Sequence, residues 1–95
     1  MSKGYVIAHA EVTNPEKWAE YVAESKVALD KYGGKPIVRG GRCEIAEGKG
    51  CPRNVILEFA SYDDARAYAF SPEYAKAKAL RQGAGVIDIV VVEGV

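Results

Sequence analysis

The chain has 95 residues, and its 13 basic and 13 acidic side chains balance to a formal net charge of zero. This balance argues against a nucleic-acid-binding or membrane-surface protein, because both depend on clusters of Lys and Arg. The length predicts one domain over residues 1–95, and a domain this short gains stability when it oligomerises.

The first residues lead directly into a strand pattern, without the apolar core of a signal peptide. No apolar run is long enough for a bilayer, so we expect a cytoplasmic protein. Cys43 and Cys51 lack C-x-x-C spacing and the single histidine lies elsewhere, which predicts no metal site. In the cytoplasm both thiols are expected to stay reduced, without a disulfide between them.

The first strand is predicted at residues 5–12, where every even-numbered side chain is apolar. Asn14 followed by Pro15 predicts the start of a helix, with Asn14 as the N-cap. Apolar residues then recur every three or four positions, as on one face of an amphipathic helix. Gly33 is placed to end that helix, because glycine readily adopts the left-handed conformation found just past a helix C-terminus.

Residues 37–46 are predicted to form a second strand that bends at Gly40 and Gly41. The outer part of this strand belongs to a hairpin whose loop covers residues 47–53. The third strand is predicted at residues 54–59, which are mostly apolar and β-branched.

Ser61 is predicted to cap a second helix, and Pro72, just after Ser71, is expected to interrupt and restart it. The restarted helix ends at Gly83, and the last strand covers residues 86–92. The order β-α-β-β-α-β predicts an α+β, ferredoxin-like fold: a four-stranded antiparallel sheet with the helices on one face.

Period-two alternation assigns each strand residue to one of two sheet faces. The helix-covered face is predicted to carry apolar side chains only: Val6, Ala8, Ala10, Val12, Val38, Val55, Leu57, Phe59, Ile87, Ile89 and Val91. The opposite face mixes apolar and ionisable groups: Tyr5, Ile7, His9, Glu11, Ile37, Arg39, Ile56, Glu58, Asp88, Val90 and Val92. Because no element of the chain is left to cover this face, we expect a homodimer that buries it against a second copy.

Four ionisable residues of the uncovered face, one from each strand, are the candidate site: His9, Arg39, Glu58 and Asp88. Arg39, together with Asp88, is the candidate for binding a small polar or acidic ligand, and His9 or Glu58 for moving a proton. The alternative is that Arg39 and the acids only neutralise one another, with Glu58 close enough to form a bidentate pair with Arg39.

Several short motifs, in order along the whole chain, resemble domain-of-unknown-function family 1330. They are Gly4-Tyr5-Val6-Ile7-Ala8, Lys31-Tyr32-Gly33-Gly34, Val38-Arg39-Gly40-Gly41, Glu58-Phe59, Ser71-Pro72-Glu73-Tyr74, Leu80-Arg81-Gln82 and Val92-Glu93-Gly94. The resemblance implies membership of the dimeric α/β-barrel group, in which two ferredoxin-like protomers pack sheet to sheet.

That group contains cofactor-free monooxygenases, isomerases such as muconolactone isomerase, haem-degrading enzymes and stress-response proteins. Arg39 and Glu58 match strand motifs of the family, whereas His9 stands where members often carry another polar residue. Pro36 replaces a common aromatic residue and Ala60 a common proline, and both departures can alter the rim of a pocket.

Three functions follow from these patterns, and the sequence leaves open whether the protein is an enzyme. The first is a cofactor-free enzyme or binder, monooxygenase- or isomerase-like, for a small acidic or phenolic compound. The second is a non-catalytic dimer with a structural or ligand-sensing role, and a purely structural dimer predicts a filled interior. The third, haem binding through His9, has only one histidine to support it. We therefore expect no cofactor.

Overall fold

A computed structural model describes residues 2–95, which form seven elements in the order β-α-β-β-α-α-β. The elements are β1 (Gly4–Val12), α1 (Pro15–Lys31), β2 (Lys35–Arg39), β3 (Arg53–Phe59), α2 (Tyr62–Ala69), α3 (Pro72–Leu80) and β4 (Gly85–Glu93). The sheet has the strand order β2-β3-β1-β4, and every pair of neighbouring strands is antiparallel. The predicted ferredoxin-like fold is confirmed.

All three helices begin at the residues that the sequence predicts. The side chains of Asn14, Ser61 and Ser71 each accept a hydrogen bond from the backbone N–H three residues on, at 3.2, 3.1 and 3.0 Å. Each bond satisfies an N–H group that would otherwise lack a partner in the first helical turn. Past the end of α1, Gly33 has φ of 72°, a left-handed conformation that favours glycine.

The hydrophobic core lies between the helices and one face of the sheet. Phe59 and Val6 of the central strands are almost completely buried, at 1% and 2% exposure. Helix α2 packs on β1, β3 and β4, whereas α1 packs mainly on α3. Because α1 is held by another helix rather than by the strands, space remains between α1 and the sheet.

Strand β2 differs from its predicted alternation by one residue. Pro36 pairs with Leu57 but Val38 pairs with Ile56, so Ile37 is an extra residue in a β-bulge. One extra residue moves every later side chain to the opposite face. The predicted face assignment is therefore wrong for β2: Val38 shares the uncovered face with Ile56, and Arg39 lies on the helix face opposite Val55.

The predicted continuation of β2 through residues 42–46 is also wrong. The strand ends at Arg39, and residues 40–52 form a connection without regular structure. Gly40 and Gly41 have φ of 68° and 85°, which suits a turn out of the strand and not a bend within it.

Candidate functional site

A cavity of about 110 Å³ lies between α1 and the helix face of the sheet. Its floor is apolar and consists of strand residues from β1, β3 and β4: Val6, Ala8, Ala10, Val55, Leu57, Ile87 and Ile89. Ala8 and Ala10 lie on the central strand β1, and their small side chains leave the space that larger residues would fill. Trp18, Tyr21 and Leu29 of α1 form the opposite wall.

Three cationic side chains lie at the mouth of this cavity. The residues are Lys26, Arg39 and Arg53, all of which line the cavity. Lys26 and Arg39 are exposed and Arg53 is half-buried, so they lie where the cavity meets solvent. Lys26 forms an ion pair with Asp30 of α1 at 3.5 Å. Within residues 2–95, neither guanidinium group is ion-paired with a carboxylate. The mouth therefore has uncompensated positive charge.

Buried tyrosines line the wall of the cavity where α1 meets α3. The hydroxyl groups of Tyr21 and Tyr74 are hydrogen-bonded at 2.7 Å, and the ring of Tyr68 packs against that of Tyr74 with 5.3 Å between centroids. Burial raises the pKa of both Tyr21 and Tyr68 above the usual value for a phenol. These hydroxyls therefore stay protonated at neutral pH and act as hydrogen-bond donors, not as bases.

Arg39 and Glu58 do not form the predicted pair, and this expectation is wrong. The bulge places Arg39 on the helix face, whereas Glu58 lies on the uncovered face opposite Tyr5. Glu58 instead accepts hydrogen bonds from Lys3 Nζ at 3.2 Å and Tyr5 Oη at 3.3 Å. The bond from Lys3 is the main reason that the pKa of Glu58 is lowered, so this carboxylate is held ionised.

His9 and Asp88 also lie on the uncovered face, directly opposite each other on β1 and β4. The side chain of His9 is exposed, and its Nδ1 is hydrogen-bonded to Oδ1 of Asn54 at 2.5 Å. Asp88 is exposed as well. Of the four candidate residues, only Arg39 lines the helix-side cavity. The other three share the uncovered face, where His9 and Asp88 are neighbours but Glu58 lies opposite Tyr5, four residues along β1 from His9.

Most of the cavity lining is not among the residues predicted from the sequence, although the sequence contains one signal for it. Ala8 and Ala10 are small residues on the central strand, and the facing helix carries the large rings of Trp18 and Tyr21. Small strand residues below a row of aromatic residues leave room for a pocket. Tyr74, Lys26 and Arg53 had no comparable signal, because their approach to the cavity depends on how the helices pack.

Within the described part of the chain, no three His, Cys, Asp or Glu side chains are grouped to hold a metal ion. Across residues 2–95, no helix combines the length and apolar character needed to cross a membrane. Cys43 and Cys51 are both free thiols, and Cys43 Sγ accepts a hydrogen bond from Nδ2 of Asn54 at 3.1 Å.

Comparison with solved structures shows the same fold in proteins of low sequence identity. A protein of unknown function from Rhodopseudomonas palustris is 17% identical, with a TM-score of 0.76 over 99% of this chain and 83% of that one. SnoaB, a cofactor-independent oxygenase from Streptomyces nogalater, is 10% identical, with a TM-score of 0.62 over 97% and 92% of the two chains.

A third similar structure is a dimeric ferredoxin-like protein of unknown function from Jannaschia sp. CCS1. It is 14% identical, with a TM-score of 0.62 over 95% of this chain and 97% of that one. Comparison with curated proteins finds no match. The model of the family described as Domain of unknown function (DUF1330) matches residues 3–95, so the chain belongs to this family.

Proposed function

We propose that the protein is a cofactor-free enzyme or binder that takes a small organic acid, a carboxylate or a phenolate, into its helix-side cavity. The observation that carries this proposal is the combination of an apolar interior with a cationic mouth. The mouth has Lys26, Arg39 and Arg53, and no Asp or Glu is among the described residues that line the cavity. An anion there would have a guanidinium partner for its charge and apolar walls for its body.

The size of the cavity limits the ligand. An apolar cavity of about 150 Å³ holds a molecule of benzene. At about 110 Å³, this cavity suits a compact body of about one small ring or a short branched chain, with the charged group at the open mouth. Larger metabolites would have to project into solvent.

Monooxygenase- or isomerase-like chemistry is the catalytic form of the proposal. The fold shared with a cofactor-independent oxygenase supports this form. The described lining has no Asp, Glu, His or Cys, and burial keeps Tyr21 protonated, so the lining supplies no base and the acidic proton of a substrate would pass to solvent water at the open mouth. The cationic mouth would then stabilise the resulting anion.

The proposal includes a homodimer through the uncovered sheet face. Apolar residues of this face remain open to solvent in one protomer, including Val90 and Val38, which are 48% and 37% exposed. The similar structure from Jannaschia is described as dimeric, which supports a homodimer without indicating the face. His9, Glu58 and Asp88 would then lie inside the barrel, so their proposed roles in proton transfer and ligand binding belong to that interior, apart from the helix-side cavity.

A structural or ligand-sensing dimer is the second candidate. A purely structural role predicts a filled interior, and the cavity favours the ligand-sensing form of this candidate. Oxygen uptake with a panel of small phenols and carboxylic acids separates the two functions. A catalyst consumes dioxygen or converts the acid at a rate that depends on Arg39, whereas a sensor binds the acid unchanged.

Calorimetric titration with benzoate and with uncharged benzyl alcohol tests the shared binding step. We expect benzoate to bind about tenfold more tightly than the alcohol, and Arg39→Met to remove most of that difference, since hydrogen bonds to charged groups contribute about 1.5–3 kcal/mol. Arg42→Met is the matched control, because Arg42 is exposed and does not line the cavity. Equal binding of the two probes, or equal loss in both variants, would contradict the proposal.

A further inference from the structure

The hydroxyl groups of Tyr21 and Tyr74 are hydrogen-bonded to each other, and this leaves one of their two protons without a partner in the pair. Tyr21 is 9% exposed and Tyr74 is 5% exposed, and the hydroxyl oxygens are 2.7 Å apart. Two phenols carry two O–H protons, but only one of these protons can lie between the two oxygens. The second O–H must point elsewhere.

The second proton of the pair makes no hydrogen bond with another side chain or with the backbone of the described residues. The guanidinium of Arg81 lies over the ring of Tyr21 at 5.3 Å, and the indole of Trp18 packs on that ring at 5.1 Å. Arginine and the indole N–H can only donate. A buried donor needs an acceptor, and an oxygen atom of a molecule bound in the adjacent cavity can supply one.

The two polar parts of the cavity lining, Arg39 and the tyrosine pair, lie on different elements and have different chemistry. Arg39 is on the edge strand β2, where it can meet a negative charge. The tyrosine pair lies where α1 meets α3, and the hydroxyl of Tyr21 is uncharged because burial raises its pKa. A single neutral donor does not offset the cost of burying a charged group in an apolar cavity, whereas one hydrogen bond is enough for a neutral carbonyl oxygen.

We propose that the cavity is built for an oxo-acid: a short apolar chain or ring with a carboxylate at the cationic mouth and an uncharged ketone or aldehyde oxygen at the tyrosine pair. This inference rests on the proposed function, because it assumes that the cavity binds an organic anion. It adds the tyrosine pair as a second binding contact, and this contact defines the substrate class as oxo-acids. Tyr21 and Tyr74 are the residues that distinguish an oxo-acid from a plain apolar acid.

The direct test compares two acids that differ only at the inner end: 4-oxopentanoate, and 4-methylpentanoate, in which a methyl group replaces the carbonyl oxygen. Calorimetric titration of wild type is expected to give about threefold to tenfold tighter binding of the oxo-acid, the range for one hydrogen bond. The Tyr21→Phe/Tyr74→Phe double variant should lose this preference and still bind 4-methylpentanoate as wild type does.

The single variants separate a recognition role from a structural one. Tyr21→Phe and Tyr74→Phe each leave one hydroxyl with one free proton, so each should keep the preference for 4-oxopentanoate. If the pair only stabilised the fold, neither acid would be preferred in any variant. Thermal unfolding of each variant checks the fold, and removal of both hydroxyls should be nearly neutral because no polar atom is left unpaired.

The outcomes distinguish failure of this inference from failure of the proposed function. If wild type binds both acids equally and Arg39→Met weakens both, the oxo-acid assignment is overturned and anion binding stands. If neither acid nor benzoate binds, both are overturned. If the double variant does not fold, the oxo-acid assignment is tested by the infrared carbonyl stretch of 4-oxopentanoate bound to wild type. A hydrogen bond lowers the frequency of this stretch below its value in an apolar solvent, and an unshifted band overturns the assignment.

Discussion

Ala8 lies on the central strand β1 with its side chain in the floor of the cavity, so Ala8→Leu tests whether this space exists. The residue is 8% exposed and lies between Val55 and Ile89 on the neighbouring strands. Leucine adds three carbon atoms, each worth about 0.8 kcal/mol when it leaves water. The volume gives a similar limit: about 110 Å³ at about 24 cal/mol per Å³ is about 2.6 kcal/mol.

The expected net effect is smaller than this limit. Ordering a leucine side chain costs about 0.5–1 kcal/mol, so we expect Ala8→Leu to raise the free energy of unfolding by about 1–2 kcal/mol. The same substitution should abolish benzoate binding, because it occupies the space that the ligand needs. Urea denaturation, with all proteins at one concentration, measures the stability, since an associating chain is more stable at higher concentration.

Ala77→Leu is the matched control for this prediction. Ala77 of α3 is completely buried and does not line the cavity, so the added carbons have no space there. Overpacking of this kind costs about 1–3 kcal/mol. If Ala8→Leu destabilises the protein as much as Ala77→Leu does, the space between α1 and the sheet is already filled and the reasoning is refuted.

Three further predictions concern charge and association. In a double-mutant cycle on the free energy of unfolding, Arg39→Met and Glu58→Gln should couple by no more than about 0.5 kcal/mol, because the two residues lie on opposite faces of the sheet. A coupling energy near ~3 kcal/mol would mean that they form a pair. The hydrogen bond from Lys31 is the main cause that lowers the pKa of Glu73 from 4.5 to about 2, so the stabilisation by ionised Glu73 is present above pH 4.5 and is lost as the pH falls towards 2. Glu73→Gln should therefore make Tm less dependent on pH in this range, and an unchanged dependence would contradict the prediction. Val90→Lys should give a monomer by light scattering at micromolar concentration, and an intact dimer would place the interface elsewhere.

The positions of the helices could be predicted because their signals are local. Asn14, Ser61 and Ser71 each satisfy a backbone N–H within their own first turn, and Pro72 removes an N–H where a helix restarts. None of these interactions depends on distant parts of the chain. The alternation of β1, β3 and β4 was equally readable, because each is a regular strand with one buried face.

The face of Arg39 could not be predicted, because the bulge at Ile37 is a property of the pairing between β2 and β3. Ile37 and Val38 are both apolar and β-branched, so the sequence is equally compatible with either phase. One inserted residue was enough to move Arg39 from the uncovered face to the cavity. The cavity itself depends on the distance between α1 and the sheet, which is set by packing of α1 on α3 and has no local signal.

We expect the helix side of the sheet, and not the uncovered side, to bind a small organic acid. Methyl NMR spectra of protein labelled at Ala, Ile and Val, recorded during titration with benzoate, observe both faces at once. We expect saturable shifts for Ala8, Ala10 and Ile87 in the cavity and none for Ile56 and Val90 on the uncovered face. Shifts confined to the uncovered face, or none on either face, would contradict the claim.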